Sequence, residues 1–174
     1  MLDITQTDLR DAPTQGAPHP RARCQSGRMA ELSELFAADH ATALTRTAAL
    51  DAGDVPDTAT HVELTSVGAI ELEALGEIAA EVVRFGTGDL ELEEVDLDHE
   101  NLFELPPFLV DLLVELGRTE DEDALGEVAE RWAASDVMEA TAGELAPVLS
   151  DIVDLATTAS REDLHVYLWT EPLG

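Results

Sequence analysis

His165, Tyr167 and Trp169 occupy alternate positions of the run Asp163-Leu164-His165-Val166-Tyr167-Leu168-Trp169. Successive side chains of a strand point to opposite sides, so one face of this run gathers an imidazole, a phenol and an indole while Leu164, Val166 and Leu168 form an aliphatic face. Large rings with polar tips bring contact area at low entropic cost, the chemistry of a binding surface. A strand beginning at His61, if paired beside this one, would add His61 and Glu63 to the patch. The other reading of the same residues is that they pack beneath the N-terminal helix. Arg131 and Trp132 are a second constellation, because a guanidinium beside an indole can grip an anion or stack on a ring. Against that, Trp132 completes an apolar stripe, and Arg131 follows Glu127 by four residues, the spacing and order of a helical ion pair. Convergence of Arg131, His165 and Tyr167 would instead make a small-molecule pocket or a small enzyme.

Other chemistry is poorly represented. Asp96, Asp98, His99 and Glu100 place oxygen and imidazole ligands close together, but a calcium loop starting at Asp96 wants glycine at its sixth position and glutamate at its twelfth, where Asn101 and Pro107 stand. This stretch reads as a solvated acidic loop. None of the five histidines forms the i, i+4 helical pair of a zinc protease, and no nucleophile elbow or phosphate-binding loop appears. Ser66, Ser135, Ser150 and Ser160 fall at caps or exposed helix positions. Cys24 is the single cysteine, which excludes an internal disulfide and a multi-thiolate metal site. No catalytic residue, metal ligand set or cofactor is therefore assigned.

The elements that must position the aromatic face are set in a chain of extreme charge. Thirty-eight acids oppose nine bases, all arginine, for a net charge of -29 across 174 residues. The absence of lysine, the many alanines and the 4 % aromatic content resemble proteins of salt-in halophilic archaea. The segment from Leu102 to Trp169, with Ala129-Glu130-Arg131-Trp132-Ala133 and the closing Val166-Tyr167-Leu168-Trp169, resembles small uncharacterised proteins of actinobacteria and halophilic archaea. That resemblance implies no activity and no catalytic residues. The charge disfavours nucleic acid and anionic membranes, since no basic stripe interleaved with aromatics offsets it. Hydrated cations would gather non-specifically at such a surface. No apolar run approaches the roughly 18 residues of a membrane span, and no signal-peptide order opens the chain. The expectation is a soluble cytoplasmic protein.

Residues 1 to 28 differ from the rest: four arginines against three acids give +1, while the remainder carries five arginines against 35 acids, or -30. With Pro13, Pro18 and Pro20 and no apolar period, this segment reads as a disordered tail or as an extension ahead of a true start at Met29. Residues 29–174 then form one domain, with 29–60 a peripheral helix and linker and 61–174 the core. Leu32, Leu35, Phe36, Ala43, Leu44 and Leu50 approximate one helical stripe ending at Gly53. A strand follows over residues 61–65, then a helix capped by Ser66 and ending near Arg84. A second strand covers Leu90 to Glu93, with a phase slip after it. Asp96 to Glu104 is the acidic loop, and Pro106 and Pro107 open the most buried helix. A capping box at Thr119 to Glu122 opens the helix of Trp132, and another at Thr141 to Glu144 opens the last helix, whose start could slide toward Ala146 because of Pro147.

The expected fold is α+β, a small sheet of about three strands covered on one face by four to five helices. The expected activity is non-enzymatic: binding a protein partner, or a second copy, through the aromatic strand face. The charge generates a direct test. Self-repulsion of a compact acidic surface is relieved by salt, so the melting temperature should rise between about 0.1 M and about 3 M KCl; equal melting temperatures would remove the halophilic assignment.

Overall fold

The computed structural model describes residues 32–54, 56, 60–96, 99–121 and 123–171. The expected tail, and the question of a start at Met29, lie outside them. Ten elements follow in order: β1 (Leu32–Ala38), α1 (His40–Asp51), β2 (His61–Thr65), α2 (Ala69–Val83), β3 (Glu93–Asp96), β4 (His99–Glu104), α3 (Pro107–Arg118), α4 (Ala124–Ala133), α5 (Ala142–Glu162) and β5 (His165–Thr170). The strands form one antiparallel sheet in the order β2-β1-β5-β4-β3. The class is α+β, but the sheet has five strands where about three were expected. Among the described residues, no helix is long and apolar enough to cross a membrane.

Two missed strands account for the difference. The stripe expected as a helix from Met29 is, in its first half, β1, an interior strand of the sheet between β2 and β5. Leu35, Phe36, Ala37 and Ala38 are all buried in succession. A strand covered on both faces reads as a continuous apolar run rather than an alternating one, and Leu32, Leu35 and Phe36 happen to fit helical spacing. Only the second half is helix. The acidic loop is likewise β4 over most of its length, because Leu102 is buried in register with Trp169. Residues 90–92 precede the strand expected there, which is Glu93–Asp96 and carries a register irregularity between Glu94 and Asp96.

The helices lie on both faces, not one. On the first face, Leu35, Ala37, Leu64, Val166 and Leu168 of the sheet, with Val67 just after β2, belong to a large core shared with α2, α3, α4 and α5. On the other face, Phe36, Ala38, Leu102, Tyr167 and Trp169 form a smaller core with Ala43, Leu44 and Leu50 of α1. The element expected to be peripheral therefore roofs the aromatic face.

Local starts and stops follow the capping chemistry with two adjustments. Ser66 does not cap α2; it has positive φ, and Gly68 stands at the cap, its N–H donating to the Glu71 carboxylate at 2.8 Å. Helix α4 starts at Ala124 rather than at Thr119, and Glu122 lies outside the described residues. Helix α5 does start behind Thr141, whose N–H and hydroxyl both donate to Glu144 at 2.9 and 2.7 Å, and Pro147 is carried inside it. Helices α3 and α5 approach closely at Gly117, where an added Cβ would lie 2.6 Å from Val153 Cγ1.

Trp132 ties the helical layer together. Its ring is fully buried and its Nε1 donates to the Glu71 carbonyl of α2 at 2.9 Å. Trp132→Phe removes that inter-helix hydrogen bond and opens a void where the indole's second ring stood, so unfolding free energy should fall by about 1–3 kcal/mol. Urea denaturation in concentrated KCl measures it.

Candidate functional site

The residues singled out in the sequence separate into three places. Arg131 and Trp132 stand in the helical layer. Arg131 pairs with Glu81 of α2 and, at 3.8 Å, with Glu127. The guanidinium and indole thus staple α4 to α2, and exposed pairs of this kind contribute roughly 0–1 kcal/mol. His165 and Tyr167 lie on the sheet face opposite that layer, so the three side chains of the expected pocket are not brought together.

The aromatic face is closed by α1. Tyr167 is buried and stacks on Phe36 with ring centroids 5.8 Å apart. Trp169 is 8 % exposed, and its Nε1 donates to Asp51 Oδ1 at 2.9 Å. Asn101 Nδ2 donates to the same oxygen at 2.8 Å, so the last residue of α1 is latched to β4 and β5. Arg46 of α1 is 3 % exposed; its Nε donates to Glu34 Oε1 at 2.6 Å, and its guanidinium lies 5.3 Å from the Phe36 centroid. Of the three aromatic-face residues only His165 is exposed, with Nδ1 2.7 Å from Glu104 Oε1. The open, flat aromatic patch is not present in this arrangement.

His61 does not join that face through β5. Strand β2 pairs with β1, His61 standing opposite Phe36 and Glu63 opposite Glu34, so His61 lies two strand spacings, about 10 Å, from β5. The acidic stretch disperses as well: Asp96 ends β3, His99 begins β4 with Nδ1 3.8 Å from Asp51 Oδ2, and Asp98 lies outside the described residues. Among the described residues, no group of three or more His, Cys, Asp or Glu side chains converges to hold a metal.

The third place was not expected. Strand β2 is a sheet edge, and no strand among the described residues pairs with its outer side. Ala37 N–H donates to the Thr60 carbonyl at 3.2 Å. Antiparallel alternation then turns the backbone groups of Val62 and Leu64 toward β1 and those of Glu63 and Thr65 outward. Beside this edge lies an open groove of about 620 Å³ between β2 and α5, lined by residues including Val62, Glu63, Asp151, Asp154, Leu155 and Thr158. Val62 and Leu155 supply its apolar part, and Asp151 and Asp154, three residues apart on one helical face, an acidic wall. Only His61 hinted at this site in the sequence, because an edge is a property of strand order and has no local signature.

One interior group carries a pH signature. Burial, then the Glu104 and Asp39 carboxylates, push the Tyr167 phenol up to about 12 from an ordinary 10.0. Its hydroxyl is buried with no hydrogen-bond partner among the described residues. The folded state holds this proton more tightly than the unfolded chain, so its contribution is complete below about pH 10 and is lost as pH rises through about 12. Tyr167→Phe should leave stability at pH 7 unchanged or raise it by up to about 1 kcal/mol, and should remove that part of the alkaline loss. Denaturant titrations across the alkaline range check both.

No protein-family model, curated protein or solved structure matches the chain, which leaves its own geometry as the guide to its chemistry.

Proposed function

We propose that the protein is a non-enzymatic protein-binding module that receives an extended segment along the outer edge of β2, with alternate side chains of that segment entering the β2–α5 groove. The observation that carries this is an edge that no strand among the described residues pairs with, beside a concavity. Main-chain hydrogen bonds along an edge supply affinity, and side pockets supply selectivity. The acidic wall favours a segment bearing arginine or lysine. The binding role is the one expected from the sequence, moved from the aromatic face, which α1 covers, to the sheet edge.

The two ends of the sheet differ in a way that supports the choice. Strand β3 is short, carries Glu93 and Glu94, and has an irregular register, all devices that discourage edge pairing. Strand β2 has a regular five-residue ladder to β1 and one acid, Glu63. In the high-salt setting that the composition suggests, the acidic wall acts at short range only, and the apolar floor and backbone groups carry more of the affinity.

The test is a titration with a short peptide alternating valine and arginine, followed by amide chemical shifts. Shifts should centre on Glu63, Thr65 and the groove face of α5. Glu63→Pro removes an outward N–H without breaking the ladder to β1, and should weaken binding about tenfold, roughly 1.4 kcal/mol, while Glu63→Gln keeps most of it. Undiminished binding by a folded Glu63→Pro protein would rule out strand addition.

A further inference from the structure

We infer that α1 is a hinged cover over the aromatic face: it lifts from the sheet on its own, while the five strands and the helices of the opposite face stay folded, and uncovers Phe36, Tyr167 and Trp169. Opening of this kind leaves the β2 edge as it is, so it stands or falls apart from strand addition there.

Weak apolar attachment is the first ground. Of the twelve residues of α1 only Ala43, Arg46 and Thr47 are buried, and two of those three are polar. Leu44 and Leu50 add half-buried packing. Helix α5, by comparison, buries seven residues, all apolar, among them Leu149 and Ile152. Packing of an apolar face is the main term holding a helix to its layer, and α1 brings little of it. The rings beneath supply the remainder, which keeps the closed form the major one.

Local closure of the helix ends is the second. At the start, Asp39 accepts from the Thr42 N–H at 3.0 Å and from the Thr42 hydroxyl at 2.7 Å. At the end, Gly53 has a φ of 79° and donates to the Leu50 carbonyl, while Asp54 donates to the Ala49 carbonyl, both at 2.9 Å. This is the Schellman pattern. Both caps lie within residues 39–54, so the helix carries the partners of its end groups with it when it leaves. Asp39 alone separates α1 from β1, and nine residues separate it from β2. None of the residues paired between β1 and β2, or between β1 and β5, lies in that excursion.

Exchangeable polar contacts are the third. Arg46 Nε donates to Glu34 Oε1, and Asp51 Oδ1 accepts from Trp169 and Asn101. Water can take over each of these when α1 lifts, so breaking them has a small net cost. Arg46 Nη1 donates to the Pro56 carbonyl, within the same excursion, and that contact can travel with the helix. Among the described residues, Arg46 Nη2, the Thr47 hydroxyl and the Tyr167 hydroxyl are buried here without a hydrogen-bond partner, and opening gives each of them water.

Thiol labelling in concentrated KCl reads the opening. In a Cys24→Ser background, Ala43→Cys places a single thiol under the cover and Ala156→Cys places one in the opposite core, both at buried positions. The Ala43→Cys thiol should react at least about 100-fold faster, with a shallow dependence on urea because opening wets little surface. Trp132→Phe, a change within the helical layer, should speed labelling of Ala156→Cys about tenfold and leave that of Ala43→Cys within about twofold. Equal rates, one common urea slope, or acceleration of both sites by Trp132→Phe would mean that α1 leaves only on global unfolding, and would overturn the inference. Amide exchange of the unsubstituted protein separates this from any effect of the added sulfur. Freed from the sheet, a twelve-residue helix is marginal in water, so α1 amides should exchange with the shallow slope and α5 amides with the steep one. A slope shared by the two helices overturns the inference in the same way.

Discussion

The pairing of β1 with β5 is the interaction on which the rest of the structure depends. It joins residues 33–38 to 165–170, nearly the two ends of the described chain, in a six-residue antiparallel register from Ser33 and Thr170 to Ala38 and His165. Both strands are buried on both faces, with Leu35, Phe36, Val166, Tyr167 and Leu168 all at 1 % exposure or less. Each flanking layer uses one set of alternate side chains from this pair. Closing so long a loop has a large entropic cost that grows only slowly with length, and the two-sided burial offsets it.

The two layers are held by different physics. The face toward α2, α3, α4 and α5 is a broad aliphatic core, where stability follows apolar area removed from water. The face toward α1 is small and held largely by polar contacts: Arg46 to Glu34 in the interior, and Asp51 to Trp169 and Asn101 at the helix end. A buried ion pair gives up much of its Coulomb attraction to desolvation, so it specifies where α1 sits more than it adds stability. Among the described residues, the Tyr167 hydroxyl, the Thr47 hydroxyl and Arg46 Nη2, all at this interface, have no hydrogen-bond partner.

Strand order also decides what the surface can do. Placing the longest central strands inside leaves two unlike edges, one acidic and irregular at β3, the other regular and beside a groove at β2. Placing α1 over the aromatic face converts Tyr167 and Trp169 from candidate contacts into core. The surface we propose for recognition then falls on backbone groups and on α5, which carry no conspicuous side-chain motif.

The sequence by itself determined the α+β class, the final strand with its two faces, the helix behind the proline pair, and the cap at Thr141, because alternation, helical spacing and capping are local and need only neighbouring residues. It also carried the Glu127–Arg131 pair and the burial of Trp132. It could not distinguish β1 from a helix, because a strand buried on both sides loses its alternation, nor reveal β4 within an acid-rich stretch where Leu102 alone marks the core. Which face α1 covers, which strand His61 joins and which edge stays open were decided only by tertiary structure, since each depends on pairing between residues far apart in the chain.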